Sequence, residues 1–161
     1  MIDLARMAAL VAVLAAAVVY GTDVFCAVVQ RPALARVDDR ALVAVMGVAV
    51  MGNVHRYGDR RMPVPGALGI IAAAVSGALA ALSGRWTATA AAATAVGLLL
   101  MWLVLYVRVS APINRRLTTA VNAGDVPPNA RVLQSDWDRV ITARAVLQGL
   151  AIAALCLALL S

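Results

Sequence analysis

The sequence predicts an all-α integral membrane protein: a four-helix transmembrane bundle with an additional short, partly inserted helix between spans one and two. Hydrophobic residues make up 63% of the 161 residues and charged residues only 14%. That leaves too little polar surface for a soluble domain of this size. Four apolar runs also approach the ~20 helical residues needed to cross a bilayer core. The predicted spans form a single domain, residues 1–161, and are residues 4–29, 66–82, 87–109 and 140–160.

The first span, residues 4–29, carries a carboxylate, Asp23, between two apolar runs. A charged side chain at the centre of a membrane helix costs roughly 2.5 to 3.5 kcal/mol on insertion scales. Asp23 is therefore expected to be paired, neutralised or used in function. The segment before this run contains Asp3 and a single arginine, which is unlike a cleaved signal peptide, so it is interpreted as a retained span.

The apolar stretch between the first two long runs is too short to cross the membrane. It covers residues 41–52 and predicts a short helix over residues 38–55 that is partly inserted or buried in the bundle. His55, the only histidine, ends this helix. Asp59 follows four residues later and shares its face if the helix continues.

The second span, residues 66–82, has small residues at four-residue spacing, Ala73, Gly77 and Ala81. Such spacing lets helix backbones approach closely. The contact it predicts is either with another helix of the same chain or with a second copy in a homo-oligomer.

The last two spans each bring a row of polar and aromatic side chains to the same end of the bundle. On the third span the row consists of Tyr106, Ser110 and Asn114. On the fourth span it consists of Trp137, Ile141, Arg144 and Gln148. Both rows keep the spacing of residues that share a helix face. Pro112 lies within the first row and is expected to kink or end that helix.

Arginine placement predicts the orientation of the bundle. With four spans, all 14 arginines except Arg6 and Arg85 lie at one end, which we call the arginine-rich end. If the short apolar stretch between spans one and two also crossed the membrane, the arginines would be divided less unequally between the two ends. The positive-inside rule then places the arginine-rich end in the cytoplasm and both termini outside, in a bacterial plasma membrane. The net charge of +6 therefore reflects topology, and no basic strip with interleaved aromatics predicts a nucleic-acid partner.

Each polar residue also has a purely structural explanation. Asp23 could form a buried ion pair with Arg144 or Arg108. A position at the membrane interface or beside a broken helix would account for His55, Asp59, Tyr106, Trp137 and Asn114. The convergence of four elements on one region is what favours a functional site.

A resemblance to a known family rests on the second half of the chain. The segment Ala111–Leu117 reads Ala-Pro-Ile-Asn-Arg-Arg-Leu, and Trp137-Asp138-Arg139 and Arg144 follow it. This order resembles the Pro-x-Asn, Trp and Arg pattern of the anthrone-oxygenase-like family of small four-helix membrane proteins. The first half is similar more loosely, through Arg31-Pro32-Ala33-Leu34 and the short helix. The block at residues 55–61 does not match the fungal enzymes.

The resemblance implies a membrane-embedded monooxygenase of secondary metabolism. Characterised members are linked to oxidation of an anthrone to an anthraquinone by O₂, without a flavin. The substrate has an acidic methylene between two aryl rings, conjugated to a carbonyl. The protein would need a base, a partner for the oxyanion and a flat apolar pocket. The expected substrate is therefore small, apolar and aromatic, anthrone- or phenol-like, with O₂ as co-substrate.

Roles for the candidate residues follow from that chemistry. The base would be Asp23, or His55 oriented by Asp59. The side chains expected to hold the oxyanion are Arg144 and Asn114, and those expected to bind the substrate rings are Tyr106, Trp137 and Gln148. A metal-assisted version would use His55, Asp23 and Asp59 to bind iron or copper. No glycine-rich phosphate loop is present, so no nucleotide cofactor is expected.

The alternative is a non-enzymatic membrane protein. Asp23, Arg144 and Arg108 could form a charge network in a carrier or an accessory subunit, and a structural subunit of a larger complex would need no site. An oxygenase predicts an apolar pocket that reaches Asp23 from one end or from the lipid. A carrier predicts an aqueous path with access to both sides.

Overall fold

Helices make up nearly all of the part of the chain that the computed structural model describes, and no strand occurs in it. That part is residues 1–38, 50–123 and 129–161, without the side chains of residues 50–53, 55, 121 and 130. The α-helices are α1 (Ile2–Phe25), α2 (Arg31–Leu34), α3 (Val50–Arg61), α4 (Pro63–Leu82), α5 (Trp86–Leu105), α6 (Ala111–Asn122) and α7 (Ala130–Leu160). Two π-helical turns, Cys26–Gln30 and Tyr106–Ser110, join α1 to α2 and α5 to α6.

Four helical stretches are long and apolar enough to cross a membrane: Ile2–Leu34, Pro63–Leu82, Trp86–Ala120 and Arg131–Leu160. They confirm the predicted class, a four-helix transmembrane bundle. The short helix between spans one and two is also present, as α3. It runs past the predicted end at residue 55, and residues 39–49 of the predicted range lie outside the described residues.

The four long helices form a closed ring in which α1 and α5 each pack against both α4 and α7. Alanines fill the core at the end that holds both termini, and its most buried members include Ala12, Ala73, Ala95 and Ala151. Small side chains let these helices approach closely. The small-residue row on α4 serves this packing, because a Cβ at Gly77 would lie 3.3 Å from the Cβ of Ala92 on α5.

Each π-turn ends two residues before a proline, Pro32 or Pro112. Pro32 and Pro112 lack an N–H, and a proline ring clashes with the carbonyl four residues earlier in an α-helix. The N–H of Arg31 bonds to the carbonyl of Cys26, and that of Ala111 to the carbonyl of Tyr106, so each turn is one residue wider than an α-turn. The wider turn accommodates the proline, and the third span does not end at Pro112 but continues through α6.

At the arginine-rich end, α3 packs against α6, and α6 against the early part of α7. A second apolar cluster holds this region together, with Ile113, Leu117, Leu133, Trp137 and Ile141. Helix α7 begins at Ala130, well before the predicted start of the fourth span at residue 140. These extensions carry the polar rows of α5, α6 and α7 into a single region between the two apolar clusters.

Candidate functional site

A buried ion pair between Asp23 and Arg144 forms the centre of the polar region. The carboxylate is 3% exposed and the arginine 5%. Nη2 of Arg144 donates to Oδ1 of Asp23 at 2.7 Å. Oδ2 accepts from Nε2 of Gln148 at 2.6 Å and from the indole N–H of Trp102 at 3.1 Å. Both oxygens of Asp23 are thus engaged, and Arg108, the other predicted partner, is exposed on the outer surface.

The guanidinium of Arg144 is enclosed by aromatic rings. Its central carbon lies 5.9, 5.4 and 6.0 Å from the ring centroids of Trp102, Tyr106 and Trp137, respectively. These distances are within the range of cation–π attraction. Nη1 donates to the hydroxyl of Ser110 at 2.7 Å, and the buried Nε has no hydrogen-bond partner among the described residues. A positive charge is therefore fixed within the span region.

A second carboxylate, Asp59 of α3, completes the polar region. Its Oδ1 accepts from the Tyr106 hydroxyl at 2.7 Å and from Nδ2 of Asn114 at 2.9 Å. An ionised carboxylate can accept hydrogen bonds but cannot donate them, so the amide nitrogen of Asn114 must face Asp59. The amide oxygen of Asn114 then points away from Asp59. That oxygen is buried and without a partner among the described residues. Oδ2 of Asp59 likewise accepts no hydrogen bond from them.

Ring stacking connects the two carboxylates. The rings of Trp102 and Tyr106 lie 6.0 Å apart with an interplanar angle of 15°. Trp102 donates to Asp23, and Tyr106 donates to Asp59. The site is therefore one connected network of side chains drawn from α1, α3, α5, α6 and α7.

A cavity of about 420 Å³ opens onto this network. Its volume is in the range of sites that bind small molecules. The polar residues in its wall include Asp23, Asp59, Tyr106, Asn114 and Arg144, together with the indoles of Trp102 and Trp137. The rest is mainly aliphatic, with Val19, Val54, Met62, Ile70, Ile71, Leu100 and Leu103. Ile71 and Leu100 are 60% and 45% exposed, so the cavity opens to the apolar outer surface of the bundle.

Most of the predicted site residues meet at this cavity. Six of them line it: Asp23, Asp59, Tyr106, Asn114, Trp137 and Arg144. Gln148 lies behind it and holds Asp23. The side chain of His55 lies outside the described residues, so its predicted roles as base and as metal ligand stay predictions. Among the described side chains, no group of three or more histidines, cysteines or acidic residues forms a metal site.

Two members of the network, Trp102 and Ser110, have no role in the sequence predictions. Trp102 lies within the predicted apolar span 87–109, and its indole N–H donates to Asp23. It lies four residues before Tyr106, so the row on the third span could have been extended backward to include it. Ser110 belongs to that row, and its hydroxyl accepts a hydrogen bond from Arg144.

No protein-family model matches the chain, and neither a curated protein nor a solved structure matches it. The resemblance to the anthrone-oxygenase-like family therefore rests on the sequence pattern at residues 111–144.

Proposed function

We propose that this chain is a membrane-embedded monooxygenase of the anthrone-oxygenase-like kind, which oxidises a flat apolar aromatic substrate with O₂. The observation that carries the proposal is the apolar cavity of about 420 Å³. Its wall includes a buried guanidinium and a carboxylate of which one oxygen has no hydrogen-bond partner among the described residues. Asp59 is the carboxylate and Arg144 is the guanidinium. A base and a fixed positive charge in a water-poor pocket are what abstraction of a proton next to a conjugated carbonyl requires.

The walls of the cavity suit a planar hydrophobic molecule. Three aromatic side chains, Trp102, Tyr106 and Trp137, offer ring surfaces at its polar end. Aromatic pairs add about 0.5 to 1.5 kcal/mol beyond the area they bury. Because the cavity opens between exposed aliphatic side chains, a substrate dissolved in the bilayer would enter from the lipid.

Asp59 is a better base than Asp23 in this geometry. Asp23 accepts three hydrogen bonds on its two oxygens, one of them from Arg144. Protonating it would leave the buried guanidinium without its counter-charge, which is strongly destabilising. Asp59 keeps Oδ2 without a described partner, in the cavity wall. Asp23 is then a positioning residue that holds Arg144 in place, and His55 remains the alternative base.

The proposed reaction balances without an external reductant. Oδ2 of Asp59 takes a proton from the methylene, and the electron pair delocalises onto the carbonyl oxygen near the charge of Arg144. The carbanion transfers its electrons to O₂, a C–O bond forms, and the proton returned by Asp59 gives a hydroperoxide. Loss of the remaining C–H proton then forms the C=O bond as the O–O bond breaks and water leaves. The methylene supplies all four electrons, so one oxygen atom enters the product and the other enters water.

The packing of the opposite half of the bundle favours an enzyme over a carrier. A carrier needs a polar path that reaches both sides of the membrane. In the described residues, the half beyond the cavity is filled by buried alanines and leucines, among them Ala12, Ala73, Ala95, Leu99 and Leu155. An apolar core of this kind supports a site that opens in one region only.

We also propose the orientation that the arginine count predicts. The arginine-rich end would face the cytoplasm of a bacterial cell, with both termini outside. The polar region of the site would then lie toward the cytoplasmic side of the plasma membrane. Cysteine accessibility at Ser161 and at Asn129 in intact cells would distinguish the two orientations.

The test is oxidation of anthrone by the purified protein in nanodiscs under ¹⁸O₂. We expect one O₂ consumed per anthraquinone formed and one ¹⁸O atom in the product, at a rate well above that of empty nanodiscs. Empty nanodiscs are the necessary control because the carbanion reacts with O₂ without help. Product formation no faster than in that control would contradict the proposal.

A further inference from the structure

Helix α3 forms part of the cavity wall at the arginine-rich end. Val54 and Gly58 of α3, and Met62 directly after it, line the cavity together with Asp59. Residues spaced four apart share one face of a helix. Arg60 lies on the opposite face and is exposed. One face of α3 therefore covers the cavity, and the other faces the surroundings of the bundle.

The packing of α3 against the bundle is light. None of its described side chains is buried, and neither apolar cluster contains one of them. In the described part of the chain α3 packs mainly against α6, with a smaller contact to α4. A segment with few buried apolar contacts opens at a low free-energy cost while the rest of the fold stays intact. α3 is such a segment.

A single carboxylate fastens α3 to the other helices. Among the described side chains of α3, only Asp59 forms hydrogen bonds with the rest of the bundle. Its Oδ1 accepts from the Tyr106 hydroxyl at 2.7 Å and from Nδ2 of Asn114 at 2.9 Å. Hydrogen bonds to an ionised group are stronger than those between neutral groups. These two bonds therefore act as a latch.

The junction between α3 and α4 lacks two backbone hydrogen bonds. Met62 separates the two helices, and α4 begins with Pro63, followed by Pro65. In a continuous helix, N–H groups at these two positions would bond to the carbonyls of Asp59 and Arg61, but proline has no N–H. Sharp bends in helices occur at such prolines. This junction is where α3 can pivot relative to α4.

We propose that α3 is a lid, which pivots at this junction and opens the cavity toward the arginine-rich end. In the closed state Asp59 lies in the cavity wall, bonded to Tyr106 and Asn114. Opening breaks both bonds and carries Asp59 away from Arg144. The site is therefore complete only while α3 is closed. This consequence for the reaction rests on the proposed function, whereas the movement of α3 can be measured without turnover.

The test is hydrogen–deuterium exchange of the full chain in nanodiscs, read by mass spectrometry. In the wild type we expect the amides of α3 to exchange faster than those of α6, which lies at the same end. Tyr106→Phe keeps the ring but removes one donor to Asp59. It should raise the exchange rate of α3 about tenfold and leave that of α6 unchanged.

The matched control is Tyr57→Phe, the same substitution on α3 itself, at a side chain that is 53% exposed and does not line the cavity. Exchange of α3 should keep its wild-type rate in it. Wild-type α3 exchanging as slowly as α6, or equal rates in Tyr106→Phe and Tyr57→Phe, would overturn the lid. An equal rise in α3 and α6 would also overturn it, because that result means a general loosening.

Two further variants keep the test decisive. If Tyr106→Phe does not fold, Asp59→Ala removes both bonds of the latch at a half-buried position and should raise the exchange rate of α3 at least as much. Pro63→Ala supplies an N–H for the carbonyl of Asp59, so it should slow the exchange of α3. An unchanged or faster rate in Pro63→Ala would overturn the hinge.

Anthrone separates the lid from the proposed function. Saturating anthrone should slow the exchange of α3, because a ligand that binds only the closed state stabilises it. A lid that responds to Tyr106→Phe but not to anthrone would support the movement of α3 and contradict the proposed substrate.

Discussion

Replacing Asp23 by asparagine should destabilise the bundle by about 3 to 5 kcal/mol, the cost of removing one partner of a buried ion pair. The change leaves the guanidinium of Arg144, 5% exposed, without a counter-charge. It also replaces one of two oxygens that together accept three hydrogen bonds. An amide offers a single acceptor oxygen, so at least one donor, from Arg144, Gln148 or Trp102, would face an N–H group.

A double-mutant cycle measures the pair itself. The free energy of unfolding is determined by detergent titration for Asp23→Asn, Arg144→Gln and the double variant. Because the double variant leaves no uncompensated charge, we expect it to be more stable than the sum of the single losses predicts, by about 2 kcal/mol or more. The control cycle uses Asp136 and Arg139, an exposed pair at 3.2 Å. Its coupling should stay below about 1 kcal/mol.

Two results would contradict a buried ion pair that stabilises the bundle. A loss below about 1 kcal/mol in Asp23→Asn would mean that Arg144 finds water or another anion at little cost. Equal coupling in the Asp23–Arg144 and Asp136–Arg139 cycles would mean that burial adds nothing to the interaction.

Three further substitutions test the cavity and the packing. Gly58 lines the cavity, and a Cβ added to it would meet open space. A leucine there would occupy part of the cavity, so Gly58→Leu should weaken anthrone binding by at least about tenfold, or about 1.4 kcal/mol. Quenching of tryptophan fluorescence measures this binding. Gly97→Leu, on the outer face with equally open surroundings, is its control, and equal weakening would contradict the assignment. A leucine at position 77 would clash with α5. We therefore expect Gly77→Leu to lower the free energy of unfolding by about 1 to 3 kcal/mol. An effect no larger than that of Gly97→Leu would contradict close packing of α4 against α5. Trp102→Phe keeps an aromatic ring but removes the indole N–H that donates to the buried carboxylate of Asp23. Detergent titration should show a loss of about 1.5 to 3 kcal/mol in the free energy of unfolding. An unchanged value would argue against that bond.

The four spans could be predicted from the sequence because each depends on a single local run of apolar residues. A run of about 20 apolar residues is sufficient to place a span. The ends of the helices were less predictable, since polar residues near the interface neither extend nor stop a helix by themselves. Pro112 shows the limit: of the two outcomes expected there, a kink or an end, the end does not occur, because a π-turn at Tyr106–Ser110 lets the helix continue.

The site was predictable in part for a similar reason. A carboxylate in an apolar helix needs a partner, which pointed to Asp23 and to an arginine. Choosing Arg144 over Arg108 depends on how the third span is rotated about its axis, and that is set by packing. The contacts of Asp59 with Tyr106 and Asn114 depend on α3 lying against α6. The spacing of residues within one helix cannot predict a contact between two helices that are far apart in the sequence.

Turnover of Asp59→Asn tests the central claim most directly. Asparagine keeps an oxygen that can accept from Tyr106 and Asn114, but it cannot take a proton from the substrate. We expect kcat for anthrone oxidation to fall about 10² to 10⁴-fold, the usual contribution of a general base. Anthrone binding should be retained. Asp136→Asn, at a carboxylate that is 44% exposed and outside the cavity, should keep full activity. Wild-type kcat in Asp59→Asn would contradict the account.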